Sequence, residues 1–164
     1  MKKVFGSILI VPFVIYLVIV IFKSVMFDIN CGNRMGRASD ANSITLAREE
    51  MEVVVKYLED NQFTTGYTSV IYNTPDEDMG FFYKNMKSAL EELISIKETA
   101  SPMEKSNLLM KLRESLTHHG EKGSSITVPS GISFAPHNVA FAIWGIISLI
   151  IAAVGAIIIA NDTY

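Results

Sequence analysis

Two long apolar runs bracket a segment in which apolar residues recur at helical spacing. Val4 to Phe22 is 19 residues without a charge, and Val139 to Ala160 is 22 more. Backbone groups left unpaired in hydrocarbon cost several kcal/mol each, so an apolar run of this kind spans a membrane only as a helix or as part of a closed barrel. At 1.5 Å per residue the two runs give roughly 28 and 33 Å, close to a bilayer core of about 30 Å. Each is therefore expected to be a transmembrane helix. Pro12 is expected to kink the first rather than end it. A cleaved signal peptide fits less well. The run is longer than a usual h-region, and Lys23 and Asp28 follow it without a small-x-small cleavage site.

Between the runs, three segments carry the three-four alternation of a packed helix. In Asp40–Asp60 the stripe is Ile44, Ala47, Met51, Val54 and Leu58, widened by Val55. In Pro75–Glu98 it is Met79, Phe82, Met86, Ala89, Leu93 and Ile96, with Leu90 beside it. Pro102–His118 offers Leu108, Leu109, Leu112 and Leu116. Thr74-Pro75-Asp76-Glu77 and Ser101-Pro102-Met103-Glu104 both read as capping boxes with proline at the first helical position. The fold expected is a mainly α membrane protein. Two transmembrane helices flank a three-helix antiparallel extramembrane domain, and an extended leg returns the chain to the second span. The division is 1–27, 28–138 and 139–164. The first domain helix is expected to run away from the membrane, leaving His119 to Asn138 to cover the return. Ser125–Phe134 is expected to be strand-like, beside Tyr67–Tyr72.

Composition sharpens this picture. The middle, 111 residues from Asp28 to Asn138, holds 11 Lys/Arg and 16 Asp/Glu, a net charge of −5. An acidic domain with one cysteine excludes a disulfide scaffold, a cysteine-based zinc site and a basic nucleic-acid binder. Lys2 and Lys3 oppose Lys23, Arg34 and Arg37, so the basic residues do not orient the chain cleanly. Segments longer than about 60 residues translocate largely regardless of charge. The expectation is an integral protein of the plasma or inner membrane, with both termini cytoplasmic and the middle outside.

The second apolar run has a distinct texture. Gly145, Ser148, Ala152, Gly155 and Ala156 fall mainly on one half of the helix, and small residues there let two backbones approach closely. They are the expected helix-packing face, meeting the first span or a second copy of the chain. Phe134, Phe141 and Trp144 suit the interface at the near end of that helix.

The chemistry-bearing residues are sparse. No phosphate loop, dinucleotide fingerprint, nucleophile elbow or HExxH motif occurs. Neither an enzyme nor a cofactor or metal site is expected. His118 and His119 are adjacent, so on a helix they diverge by about 100° and would sit at its C-terminus, complementing the dipole. His137 suits an interfacial role. Cys31 reads as a plain thiol, with an intermolecular disulfide or an acyl chain as alternatives. Asp76, Glu77 and Asp78 open a helix, where the dipole favours them. Phe81, Phe82 and Tyr83 cannot all face one core.

The layout of anchor, acidic helical ectodomain and return helix resembles, in architecture alone, the sensory half of bacterial chemoreceptors and sensor kinases. Only four residues follow the second span, so no attached signalling domain is expected. The leading expectation is a non-enzymatic accessory or scaffold protein whose partners are membrane lipid and another membrane protein or itself, and not nucleic acid. A ligand sensor signalling through a separate partner would use a pocket lined by Tyr57, Phe63, Tyr67 and Tyr72, with Phe81 as a further contact. A phage- or toxin-like membrane-active protein is the third reading.

Overall fold

The computed structural model describes residues 2–120, 123–129, 131 and 138–161, with side chains omitted at 118–120 and 123–125. Within these the protein is mainly helical, and two helices are long and apolar enough to cross a membrane. Helix α1 (Lys2–Phe27) runs through Pro12 unbroken and packs along α6 (Asn138–Asn161) as an antiparallel hairpin. The apolar stretches of the two have mean hydropathies of 2.9 and 2.7.

The chain does not leave the helix at residue 28. A π-helical turn, Asp28–Gly32, joins α1 directly to α2 (Asn33–Ser39), giving one helical rod of 38 residues. The Asn33 N–H donates to the Asp28 carbonyl, closing the wider turn. Asp28, Asn30, Gly32, Asn33 and Gly36 are poor helix formers, so sequence propensity marks a boundary here. Burial overrides it, because Phe27, Cys31, Met35 and Ala38 line one face of the rod and lie in the core of the polar domain.

That continuity reverses the expected path. Because α2 carries the chain away from the hairpin, α3 (Ile44–Asp60) comes back toward it. The Phe27 ring lies 6.2 Å from Tyr57 and 6.4 Å from Phe63, at the lower end of α3. Helix α4 (Met79–Ser95) then runs away and α5 (Pro102–Leu116) turns back. The domain thus has four antiparallel helices where three were expected, the extra one being the top of the first rod.

The expected stripes account for most of the domain core. Ala47, Met51, Val54, Val55 and Leu58 of α3 are buried, as are Met79, Phe82, Met86 and Leu93 of α4 and Leu112 and Leu116 of α5. Helix α3 ends in a Schellman motif. Gln62 N–H donates to Glu59 O at 3.0 Å and Phe63 N–H to Leu58 O at 2.7 Å, with Gln62 in the left-handed region at φ 61°. This turn folds the Phe63 ring back into the core.

The two capping boxes part ways. Ser101 accepts from the Glu104 N–H at 3.2 Å, and the Glu104 carboxylate accepts from the Ser101 N–H at 2.7 Å, as the sequence predicts. Thr74 opens only a short 3-10 turn, Pro75–Glu77, and its hydroxyl donates to Glu77 at 2.6 Å. Asp78 caps α4 instead, accepting from the Phe81 N–H at 3.0 Å.

After α5 the chain forms a small hairpin. Strand β1 (Thr117–Gly120) pairs antiparallel with β2 (Gly123–Ile126), with His118 opposite Ser125. His118 and His119 therefore lie in a strand, and their side chains, with the whole of His137 and Phe134, fall outside the described residues. Ser125 does not pair with Tyr67–Tyr72. A local strand partner was nearer in sequence, so less loop entropy was lost in closing it. Tyr67 instead makes a single antiparallel bridge with Asp78.

Candidate functional site

Three regions could carry function: the helix hairpin, its junction with the domain, and a cleft at the domain's far end. In the hairpin, Gly145, Ser148, Ala152 and Gly155 of α6 are buried. A Cβ at Gly155 would lie 2.6 Å from the Gly6 carbonyl oxygen, and one at Gly145 would lie 2.7 Å from the Tyr16 ring. The Tyr16 ring stands edge-on to Trp144 at 5.4 Å, beside Phe141, whose own ring sits 4.7 Å from the Lys23 ammonium. The buried row steps by three, four and three, the spacing that keeps side chains on one seam between two helices. Ala156, grouped with this face in the sequence, is exposed. A strict i+4 row drifts around the helix by about 40° per step, because four residues exceed one turn of 3.6. Sequence reasoning did not single out Gly6, the partner of Gly155, because one glycine among aliphatic residues shows no spacing pattern.

At the junction, Tyr57, Phe63 and Phe27 form an aromatic cluster, with Tyr57 and Phe63 6.0 Å apart. Phe63 is a core residue, so it does not line an open pocket with Tyr67 and Tyr72. Tyr72 is 75% exposed and lies on a separate loop. Phe81 is 62% exposed on α4 while its neighbour Phe82 is buried and Tyr83 packs partly against the core, which splits the aromatic triplet.

Cys31 is fully buried, with Sγ 3.8 Å from the Met35 sulfur. Burial pushes its thiol up to about 12, which keeps it protonated. The folded core holds it away from an intermolecular disulfide or an acyl chain. Burial also raises the neighbouring Tyr57 phenol, with the approach of Cys31 adding to it.

The upper part of the rod is tied to α3 by charge. Glu50, nearly buried, accepts from Arg34 at 2.9 Å and Arg37 at 2.6 Å. These pairs clamp α2 against α3 close to the fully buried Met35 and Met51.

The far-end cleft, about 760 Å³, lies between the α2–α3 turn, the end of α4 and α5. Ile44, Leu93 and Leu109 line it, and Arg48, Lys97 and Lys105 contribute positive charge. Its size falls in the range of small-molecule sites. Arg48 is already paired with Glu52 at 3.3 Å, and Lys105 donates to the Glu98 carbonyl at 2.8 Å. Asp76, Glu77 and Asp78 gather no further ligand, and among the described residues no three His, Cys, Asp or Glu side chains cluster closely enough to hold a metal ion.

Comparison with known proteins returned no matching family model, no matching curated protein and no matching solved structure. The functional reading therefore rests on this chain's own geometry.

Proposed function

We propose that the protein is a non-enzymatic, two-span accessory or scaffold protein of the plasma or inner membrane, with both ends cytoplasmic and the acidic helical domain outside. One observation carries this reading. The rod Lys2–Ser39 passes from the apolar hairpin into the domain core without a break in the helix, and its upper part is buried there. A continuous helix in place of a loop at this junction suits a protein that positions a partner at a membrane.

The surface of the hairpin supports its placement in lipid. Val4, Ile8, Val18 and Ile21 of α1 and Ile143, Ile146, Ile150 and Ile157 of α6 are all exposed. Contiguous apolar surface on this scale is rare on proteins surrounded by water. The buried small-residue row is filled by α1 itself, which leaves the outer hairpin faces and the domain for other proteins. Ala153, Ala156 and Ala160 of α6 stay exposed; dye leakage from liposomes tests the membrane-active reading, and intact vesicles remove it.

The test is purification of a tagged protein at native expression. We expect the chain to stay in the pellet after alkaline carbonate, and to leave mild detergent extraction with a stoichiometric membrane partner or as a defined oligomer. Release by carbonate refutes the spans; a bare monomer refutes the scaffold.

A ligand-sensing role has one observation in its favour, the cleft at the far end. It differs from the aromatic pocket suggested by the sequence, and its basic, partly apolar lining suits a small amphiphilic anion. Thermal-shift screening with medium-chain carboxylates tests it, a rise in melting temperature supporting the role and a flat response opposing it.

A further inference from the structure

The first residue of α6 holds a loop in place. Asn138 is 4% exposed, and its side-chain amide donates to the Tyr67 carbonyl at 3.2 Å and to the Thr68 carbonyl. Thr68 N–H donates to Glu77 O and Met79 N–H to Gly66 O, both at 2.9 Å, which pins the base of the same loop. At its tip the Ser69 hydroxyl donates to the Tyr72 carbonyl, closing a turn around Val70 and Ile71. Val70 is 47% exposed, Ile71 81% and Tyr72 75%.

The depth of this loop follows from the hairpin. The register that sets Gly6 against Gly155 and Tyr16 against Gly145 places Asn138 level with Lys23. Lys23 is the first charge after the apolar run of α1, and it lies over the Phe141 ring one turn into α6. Asn138 therefore marks the level at which both helices leave hydrocarbon, if they span a bilayer, and Tyr67–Tyr72 is tied to that level. From Asn61 to Pro75 the chain carries no charge, in a domain otherwise dense in acids and bases. An uncharged loop offers no ion pair to a charged partner surface. Its exposed Val, Ile and Tyr match the boundary between headgroups and acyl chains, where an amphipathic aromatic ring beside aliphatic side chains is favoured.

We propose that Tyr67–Tyr72 is a third membrane contact, a loop that inserts Val70, Ile71 and Tyr72 into the lipid interface and fixes the tilt of the domain on the bilayer. The proposal rests on the two-span reading of the hairpin. Its occupant is the lipid surface, and the domain reaches it without any change in fold.

The test is depth-dependent quenching on the full chain in phosphatidylcholine vesicles. Cys31 is buried, so single cysteines at exposed positions can be labelled with an environment-sensitive fluorophore without removing it. Ile71→Cys reports the loop, Val14→Cys the middle of α1, and Met103→Cys the far end of the domain. Ile71→Cys should be quenched by nitroxide near the headgroup more than by nitroxide deep in the acyl chain. Val14→Cys should show the reverse, and Met103→Cys should respond only to aqueous iodide. If Val14→Cys is not quenched by deep nitroxide, the spanning helix fails and the loop proposal with it. If Val14→Cys behaves as expected while Ile71→Cys follows Met103→Cys, the loop proposal alone is overturned. Shielding of Ile71→Cys from both lipid and iodide means that a second copy covers the loop, which also overturns it.

Discussion

Gly6 and Gly155 meet backbone to backbone: a Cβ on Gly6 would lie 2.7 Å from the Gly155 carbonyl oxygen, and one on Gly155 2.6 Å from that of Gly6. Neither oxygen can move away easily, because each belongs to a helix. Gly155→Leu should therefore push the hairpin apart, at the cost of about 1–3 kcal/mol typical of overpacking. Ala156→Leu, one residue on and exposed, should leave it intact. The emission of Trp144, the only tryptophan and in contact with Tyr16, reads out thermal unfolding in detergent. Equal melting temperatures for the two variants would refute this packing.

The thiol of Cys31 gives a pH signature. Its value is raised from 9.0 to about 12 by burial, so the folded state prefers the neutral form more strongly than the unfolded chain does. Stability is then undiminished below about pH 9, where both states keep the proton, and falls as pH rises toward 12. A denaturant midpoint that drops between pH 9 and 10, and drops less in Cys31→Ala, is the expected result. At pH 8 a thiol reagent should label the unfolded chain rapidly and the folded one slowly.

Glu104 carries the opposite signature. The Ser101 backbone N–H, and then the Ser101 hydroxyl, hold its carboxyl below the usual range. A depressed folded value contributes stability above the unfolded value, lost as pH falls through the carboxylate range. Glu104→Gln should flatten the acid limb of the stability profile, followed by circular dichroism of the helices. Ser101→Ala removes the cap itself and should cost about 1 kcal/mol at neutral pH.

Gln62 pays a conformational cost to end α3. A residue with a Cβ loses roughly 1–2 kcal/mol in the left-handed region, whereas glycine does not. Gln62→Gly should stabilise the protein by up to about 1 kcal/mol, once the greater freedom of unfolded glycine is subtracted. Chemical denaturation measures it. A loss of stability would mean that the glutamine side chain makes a contact that outweighs the strain.

The domain stripes were legible because helical burial leaves a local period. Met51, Val54 and Leu58, or Met79, Phe82 and Met86, announce their shared face without any partner being known. The Ser101 box was legible for the same reason, since its two bonds span three residues. Cys31 and Met35 were not read as core, because they sit among Gly, Asn and Asp that signal a break, and their burial depends on α3 and α5 packing around them. The differing exposure of the aromatic residues was not legible for the converse reason. Tyr57, Phe63, Tyr67 and Tyr72 are close in sequence, but the Schellman turn at Gln62 sends Phe63 inward and leaves Tyr72 on the surface.

Run length, charge and periodicity were enough to establish two apolar helices, an acidic helical middle and the residues of its main faces. All of these depend on interactions within one turn or on transfer of a side chain out of water. The direction of every domain helix, the place of Cys31 and the tie between Asn138 and the Tyr67–Tyr72 loop depended instead on contacts between distant residues. The π-helical turn at Asp28–Gly32 shows why: its residues are poor helix formers that favour a break, and the packing of Met35 and Ala38 against the rest of the domain overrides them to give one unbroken rod.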